Sequence, residues 1–213
     1  MNTKSIKEIQ QYFDEKIYKI EIMSGGVTNV IYKVYTDIGI DIIRFYGDKS
    51  SVFIDRDKEN KLLNYLQKYQ IAPKIKKIYN NCRIEEYKEG TNNCKPLEYQ
   101  EKLCNILNKL HNIPIKNEFV GNFWIRFQEW KKKSDNLYDK EIEKVMYEIY
   151  YGDIKQGTRN YWNQIVLGHG DLTLGNILVS EEINLIDFEY SCKLPRGFEL
   201  ANHLCEYEGL ESE

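Results

Sequence analysis

Hydrophobic and polar residues alternate along much of the N-terminal part of the chain, and this two-residue period predicts β-strands. Short turns, such as the one that contains Gly39, separate the early runs, so neighbouring strands are expected to pair in antiparallel fashion. The pattern therefore predicts a five-stranded antiparallel sheet. The predicted strands cover residues 18–22, 29–35, 41–46, 77–79 and 83–87.

Apolar residues recur at helical spacing in three other segments, which are therefore predicted to form amphipathic helices. The first lies between the third and fourth strands, with Asp55 as its N-cap and Ala72-Pro73 beyond its end. After a polar hinge loop at 89–93, Pro96 suits the first turn of the second helix. The three apolar sets are Leu62, Leu66 and Tyr69, then Leu103, Ile106, Leu107 and Leu110, then Ile142, Val145, Met146 and Ile149.

Composition and charge exclude several classes of protein. The 213 residues are 42% apolar and 30% charged, as in soluble globular proteins. The net charge of −3 argues against a general nucleic-acid binder, and the basic run 131–133 is expected to be a solvated helix face. No segment is apolar enough for a membrane span or a signal peptide, so a cytoplasmic location is predicted. Five cysteines without a C-x-x-C pair indicate reduced thiols rather than disulfides or a zinc site.

Two short segments near the C-terminus carry the strongest chemical signal. The first, at 169–176, has the pattern H-x-D-x-x-x-x-N, and the second, D-F-E, begins at Asp187 after a predicted hairpin. Phosphoryl transfer needs a carboxylate that meets the attacking hydroxyl, and an amide oxygen and a second carboxylate that hold Mg²⁺ against the triphosphate. Asp171 is the predicted catalytic carboxylate, and Asn176 and Asp187 are the predicted metal ligands. A turn aspartate and a capping asparagine are the ordinary alternatives for the first two residues.

Weaker signals occur upstream in the order expected of a kinase. Residues 24–29 join two strands through a Gly-Gly turn whose amides could approach phosphates, although a plain hairpin turn has the same pattern. Arg44 and Glu59 have the order of the kinase cation–carboxylate pair, with a surface arginine and a helix-face glutamate as the alternative. Position 170 is Gly, so a phosphorylated activation loop would find no arginine there, which favours a small-molecule kinase.

The order of strands, helices and motifs predicts an α+β protein with the two-lobed protein-kinase-like fold. Residues 1–90 would form a β-rich, nucleotide-binding N-terminal lobe that contains the five-stranded antiparallel sheet and one helix. Residues 91–213 would form a mainly helical C-terminal lobe that carries the catalytic hairpin. The nucleotide is expected to bind between the two lobes.

The chain resembles the choline/ethanolamine kinases, relatives of the aminoglycoside phosphotransferases, from about Ile20 to Tyr207. The two C-terminal matching segments are more specific to this family than the general kinase motifs are. The matching segments are S-G-G-V-T-N (24–29), I-R-F-Y-G (43–47), F-I-D-R-D-K-E (53–59), A-P-K-I (72–75), R-I-E-E-Y (83–87), H-G-D-L-T-L-G-N-I-L (169–178), L-I-D-F-E-Y-S (185–191) and R-G-F-E-L-A-N-H-L-C-E-Y (196–207).

The resemblance implies a role for each matching site residue. Asp171 would take or orient the substrate hydroxyl, and Asn176 and Asp187 would carry Mg²⁺. Tyr190 and Glu206 would face the amine head group, because a cationic ammonium is attracted to an aromatic face and to a carboxylate. A core tyrosine and an exposed helix glutamate are their ordinary alternatives. The implied ATP-binding residues are Ser24, Gly25, Gly26, Val27, Thr28, Asn29 and Val30 over the nucleotide, Arg44 with Glu59 at the phosphates, Glu86 and Tyr87 beside the adenine, and Thr173 nearby.

The chain departs from the family in two places. Glu199 stands where the family typically has Asp, and the relatives continue beyond Tyr207 with helices whose aromatic residues close the amine pocket. We therefore expect the family's C-terminal helices to be absent, which would leave the amine pocket open or completed by another chain. The resemblance allows a homodimer, because the relatives often pair, and the sequence leaves the oligomeric state open.

Three functions follow from these observations. The leading hypothesis is an ATP- and Mg²⁺-dependent kinase that phosphorylates choline or ethanolamine for phospholipid head-group synthesis. The nearest alternative is an aminoglycoside-type or other small-molecule kinase with the same fold. A third alternative, of another class, is a non-catalytic nucleotide-binding remnant.

Overall fold

The structure, a computed structural model, describes residues 4–23, 29–47, 54–92, 98–118, 120–133, 140–151 and 161–208. These residues fall into two compact units. The first contains the residues up to Ile54 together with 73–89, and the second contains residues 55–72 together with those from Gly90 onward. This division differs from a single boundary at residue 90, because the segment 55–72 belongs with the second unit.

The first unit contains the predicted five-stranded antiparallel sheet. Its strands are β1 (Ile17–Ile22), β2 (Asn29–Thr36), β3 (Gly39–Tyr46), β4 (Ile75–Ile78) and β5 (Cys82–Glu86), in the spatial order β1-β2-β3-β5-β4. A short helix that the sequence pattern did not predict, α1 (Ile6–Gln10), precedes the sheet, and its buried Ile9 belongs to the same core as Tyr32 and Ile43. A capping box between Ser5 and Glu8 starts this helix, and this local signal could have predicted it.

The second unit begins with α2 (Arg56–Leu66), whose N-cap is Asp55 as predicted. The Asp55 carboxylate accepts a hydrogen bond from the backbone N–H of Lys58 at 3.1 Å. Leu62 and Leu66 are buried, but Tyr69 is 39% exposed, so the prediction that it shares their apolar face is wrong. The physical reason is that the helix tightens into a 3₁₀ turn over Gln67–Tyr69, which turns Tyr69 away from the core.

The other helices are α3 (Gln100–His111), α4 (Phe123–Lys133), α5 (Lys140–Tyr151) and α6 (Arg196–Glu208). The predicted stripe of α3, from Leu103 to Leu110, is buried. The predicted third helix exists as α5, although Ile142 and Val145 are exposed on it. Pro96 lies outside the described residues. Within the described ranges, no helix is long and apolar enough to cross a membrane.

Two small antiparallel pairs of strands carry the motifs. In one pair, β6 (Ile165–Gly168) lies beside β9 (Cys192–Pro195). The other is the predicted hairpin, formed by β7 (Ile177–Val179) and β8 (Ile183–Leu185). The chain passes from β6 through the first motif to β7, and from β8 through the second motif to β9. Both motifs therefore lie in the connections between these strands.

Candidate active site

The first motif forms a tight loop after β6. Gly170 has a φ of +80°, and a Cβ atom there would lie 2.9 Å from the carbonyl carbon of Tyr190, so the loop requires glycine. His169 and Leu172 have no exposed surface, whereas Asp171 between them is partly exposed. The partly exposed carboxylate of Asp171 therefore lies in a loop that the buried residues His169 and Leu172 anchor in the core.

Asn176 fixes the orientation of the Asp171 side chain. Its Nδ2 group donates hydrogen bonds to the Asp171 carbonyl oxygen at 2.9 Å and to Oδ2 at 3.0 Å. The connection is short, because residues Leu174–Asn176 form one 3₁₀ turn after Thr173. The amide nitrogen of Asn176 donates to Asp171, so the amide oxygen of Asn176 is the atom suited to bind a cation.

The second motif places Asp187 beside Asn176. The backbone N–H of Ile186 donates to the carbonyl oxygen of Asn176 at 3.0 Å, so both predicted metal ligands lie at the same end of the β7–β8 hairpin. Asp187 has left-handed backbone angles, φ 65° and ψ 61°, which cost a non-glycine residue about 1–3 kcal/mol and occur preferentially at functional sites. Among the described residues, no three His, Cys, Asp or Glu side chains form a metal-binding cluster.

His169 connects the two motifs. Its Nε2–H donates to the carbonyl oxygen of Ile186 at 2.8 Å, and its ring packs on Phe188 with centroids 4.6 Å apart. The hydroxyl of Ser191 donates to the His169 carbonyl oxygen at 3.0 Å. These contacts give His169 a structural role and leave Asp171 as the candidate base.

Helix α6 holds the loop of the first motif, residues 169–176, through side chains that sequence reasoning missed or left without a role; this candidate loop is called the catalytic loop below. Glu199, which is fully buried, accepts hydrogen bonds from the backbone N–H groups of His169 and Gly170. Burial raises the pKa of the Glu199 carboxyl, although His169 and the two N–H groups act in the opposite direction. The two hydrogen bonds that Glu199 accepts fix the backbone immediately before Asp171.

Two further side chains of α6 hold the residue after Asp171. The Oδ1 atom of Asn202 accepts from the N–H of Leu172 at 2.8 Å, and Nδ1–H of His203 donates to the Leu172 carbonyl oxygen at 2.9 Å. Burial lowers the pKa of His203, while the Leu172 carbonyl and the nearby Glu206 act in the opposite direction. Polar residues at helical spacing on α6 are a signal that could have predicted this clamp.

Tyr190 lies in an acidic environment. Burial raises the pKa of its hydroxyl, and the carboxylates of Glu189, Asp171 and Asp187 raise that pKa further, whereas the guanidinium of Arg56 acts in the opposite direction. Its carbonyl oxygen accepts a hydrogen bond from Nη1 of Arg126 at 2.6 Å, another contact that sequence reasoning missed. The structure thus brings Tyr190, a predicted substrate residue, close to the predicted catalytic carboxylate.

Glu59 and Glu189 share one guanidinium in the second unit. Nη1 of Arg56 lies 2.7 Å from Oε2 of Glu59 and 3.0 Å from Oε2 of Glu189. All three side chains are at least 87% buried. This ion pair connects α2 to the 3₁₀ turn that follows Asp187.

Arg44 is held on β3 by Glu85. Nε of Arg44 donates to Oε1 of Glu85 at 3.2 Å, and Arg83 bonds the same oxygen. Burial acts to raise the pKa of the Glu85 carboxyl, but the two guanidiniums outweigh it and the pKa lies below its usual value. Because Arg44 and Glu59 belong to different units, their pairing stays a prediction.

The remaining nucleotide-binding candidates are only partly described. Asn29 is buried at the start of β2, and Val30 packs against the core of the sheet. Glu86 is the last residue of β5. The ammonium group of Lys33 lies 3.9 Å from the ring centre of Tyr87, the next residue along the chain. Residues 24–28 lie outside the described residues, so their predicted role over the nucleotide stays a prediction.

Known proteins resemble this chain in sequence and in fold. A curated relative, a probable ethanolamine kinase of Arabidopsis thaliana, is 25% identical over 219 residues, covering 93% of this chain and 59% of the relative. The Plasmodium vivax ethanolamine kinase structure matches with a TM-score of 0.77 at 24% identity, covering 97% of this chain and 65% of that one. The ternary complex of APH(2″)-IIa with streptomycin and ATP matches with a TM-score of 0.63 at 15% identity, covering 92% and 74%. These likenesses confirm the predicted protein-kinase-like α+β fold.

The family assignment depends on a match along nearly the whole sequence. The chain spans 59% of the length of the Arabidopsis relative. The family model described as choline/ethanolamine kinase matches residues 20–212, which include both motifs and the α6 clamp. The chain therefore belongs to the choline/ethanolamine kinase family.

Proposed function

We propose that this protein uses ATP and Mg²⁺ to phosphorylate the hydroxyl group of choline or ethanolamine. The product would be phosphocholine or phosphoethanolamine, a precursor of phospholipid head groups. The observation that carries the proposal is the partly exposed Asp171 carboxylate, which Asn176 orients through a hydrogen bond of 3.0 Å. Family membership supports the choice of an amino alcohol as the substrate.

Asp171 would act on the substrate hydroxyl. Its carboxylate accepts a hydrogen bond from that hydroxyl and takes the proton as the alcohol oxygen forms its bond to the γ-phosphorus. The bond between the γ-phosphorus and the β–γ bridging oxygen breaks, and ADP leaves with the electron pair. Such a positioned base contributes about 10²- to 10⁴-fold to the rate.

Asn176 and Asp187 would hold Mg²⁺, which when bound neutralises charge on the β- and γ-phosphates. The donor set fits, because Mg²⁺ is usually held by one or two carboxylates, amide or water oxygens and the phosphates themselves. The Asn176 amide nitrogen bonds Asp171, which leaves the amide oxygen for a cation. Arg44, positioned by Glu85, would attract the phosphates, and the other predicted nucleotide residues would complete the ATP site.

The amine end of the substrate would bind near Tyr190 and Glu206. Three carboxylates, those of Glu189, Asp171 and Asp187, act on the Tyr190 hydroxyl against one guanidinium, that of Arg56, so the surroundings of this ring favour a cation. An ammonium group is attracted to such carboxylates and to the aromatic face. The cytoplasmic location and the homodimer stay predictions.

An ADP-release assay tests the proposal with choline, ethanolamine and kanamycin as acceptors. We expect turnover with an amino alcohol, and a loss of about 10²- to 10⁴-fold in kcat for Asp171→Asn. Asp14→Asn is the matched control, because Asp14 lies 88% exposed on the surface of the first unit. Turnover of kanamycin alone would favour the aminoglycoside-type alternative. Binding of ATP and Mg²⁺ without turnover of any acceptor would favour the non-catalytic remnant.

A further inference from the structure

The 3₁₀ turn that follows Asp187 is anchored at both ends. Asp187 has left-handed backbone angles, which a residue with a side chain keeps only where its surroundings fix them. Before the turn, the N–H of Ile186 donates to the Asn176 carbonyl oxygen at 3.0 Å, and the Ile186 carbonyl oxygen accepts from Nε2–H of His169 at 2.8 Å. The far end of the turn is held by Arg126 of α4, to which sequence reasoning assigned no role.

The guanidinium of Arg126 bonds two successive carbonyl groups at the far end of this turn. Nη1 donates to the Tyr190 oxygen at 2.6 Å, and Nη2 donates to the Ser191 oxygen at 3.2 Å. Because the guanidinium is planar and rigid, its two bonds fix the orientation of both peptide groups, which the point charge of a lysine cannot do. The N–H of Ser191 also donates to the Phe188 carbonyl oxygen at 3.0 Å and closes the turn. The bidentate contact is called the Arg126 fork below.

The start of α4 directs Arg126 toward the turn. The side-chain oxygen of Asn122 caps the helix by accepting from two backbone N–H groups of its first turn, at 2.9 and 3.3 Å. The same segment is joined to β9, because the N–H of Lys193 donates to the Gly121 carbonyl oxygen at 2.8 Å. Arg126 therefore extends from a helix end that is attached to the strand that follows the turn.

The residues that Arg126 bonds also contact the catalytic loop. The Ser191 hydroxyl donates to the His169 carbonyl oxygen at 3.0 Å. The carbonyl carbon of Tyr190 lies 2.9 Å from the position that a Cβ atom of Gly170 would take. Arg126 therefore holds the segment at which the connections that carry the two motifs touch each other.

The charge of Arg126 and its position predict opposite effects on a metal ion. Arg56 pairs with the Glu189 carboxylate at 3.0 Å, whereas the charge of Arg126 lies against two uncharged carbonyl groups. A positive charge near a cation site repels the bound ion. If only the charge mattered, removal of Arg126 would strengthen metal binding. If the fork positions Asp187, the same removal would weaken it.

We propose that Arg126 is a positioning residue for the metal site, whose fork keeps Asp187 in the left-handed conformation required to bind Mg²⁺. This inference rests on the proposed function, in which Asn176 and Asp187 hold the ion. The loss of a group that orients a metal ligand commonly weakens metal binding by about 10- to 100-fold. A lysine at position 126 would keep the charge but lose the paired bonds, so it should restore only part of the affinity.

Water proton relaxation tests the proposal without turnover. Mn²⁺ is the probe, together with a non-hydrolysable ATP analogue, because protein-bound Mn²⁺ tumbles slowly and relaxes water faster than the free complex does. We expect Arg126→Gln to raise the dissociation constant of Mn²⁺ about 10- to 100-fold and Arg126→Lys to raise it less. Binding of the analogue in EDTA, measured by equilibrium dialysis below the unfolding midpoint of each variant, should not change. Lys132→Gln is the matched control, because it removes a positive charge from an exposed position of the same helix.

The outcomes separate this inference from the proposed function. Tighter or unchanged Mn²⁺ binding in Arg126→Gln would overturn the inference, as would an equal loss in Lys132→Gln. Binding that depends on Arg126, without turnover of choline or ethanolamine by the wild type, would reject the kinase reaction and keep the positioning role. Turnover by a wild type whose Mn²⁺ binding does not depend on Arg126 would reject the positioning role and keep the kinase. A wild type that binds no Mn²⁺ with the analogue would overturn both the metal ligands and the role of Arg126.

Discussion

The buried carboxylate of Glu199 accepts a hydrogen bond of 2.6 Å from the backbone N–H of His169. Its other oxygen accepts from the N–H of Gly170 at 3.0 Å. One side chain of α6 thus satisfies two successive N–H groups of the catalytic loop. Because Asp171 comes next in the chain, this contact sets where the candidate base lies.

Glu199→Gln tests this contact, because it replaces one acceptor oxygen with an NH₂ group that faces a backbone N–H. We expect the free energy of unfolding to fall by about 1–3 kcal/mol, since a buried N–H loses its acceptor. Denaturant unfolding measures the change, and kcat should fall with it as the loop shifts. Glu181→Gln, at an exposed position, is the control. Equal stabilities of the two variants would show that the Glu199 contact contributes nothing.

Gly170→Ala should disrupt the loop. A Cβ atom at Gly170 would meet the Tyr190 backbone, and the φ of +80° is strained for any residue with a side chain. We expect a lower unfolding midpoint and loss of phosphotransfer. Gly175→Ala is the matched control for stability, because the nearest atom that its Cβ would meet is the Thr173 hydroxyl at 3.8 Å. If thermal denaturation gives the same midpoint for both variants, the close approach to Tyr190 does not constrain the loop.

Local chemistry explains which parts of the fold could be predicted from the sequence. A cap such as Asp55 bonds an N–H only three residues away, so its pattern is visible in a short window. The strands and the buried stripe of α3 likewise follow from periodicity. One turn separates Asp171 from Asn176, and one hairpin returns the chain to Asn176 just before Asp187, so the spacing of these motif residues already indicates that they lie close together.

Contacts between distant segments could not be predicted in the same way. The contact of Glu85 with Arg44, for example, depends on the register of β3 against β5. No local pattern specifies that register. The bond of Glu199 to the catalytic loop and the contact of Trp130 with Tyr190 depend on how helices pack, which one sequence does not reveal.

Arg56→Met should destabilise the second unit strongly. It removes the guanidinium that Glu59 and Glu189 share, and the removal of one partner from a buried ion pair costs about 3–5 kcal/mol. Lys58→Met is the matched control, because Lys58 pairs with Asp55 at a position where both side chains are more than half exposed. Chemical denaturation should show a change near zero for the control. If the free energy of unfolding falls equally in both variants, the buried guanidinium that Glu59 and Glu189 share contributes no more than an exposed ion pair.

His111, in the last turn of α3, should make stability depend on pH. Burial lowers its pKa from 6.5 to about 4, and the positive charge of Arg196 acts in the same direction. Between these two values the unfolded chain binds a proton that the folded protein does not, so stability falls as the pH decreases from 6.5 to about 4. His111→Gln removes this titration, and its thermal midpoint should therefore change less than that of the wild type over the same range. Parallel pH profiles for the two proteins would show that His111 is protonated equally in the folded and unfolded states.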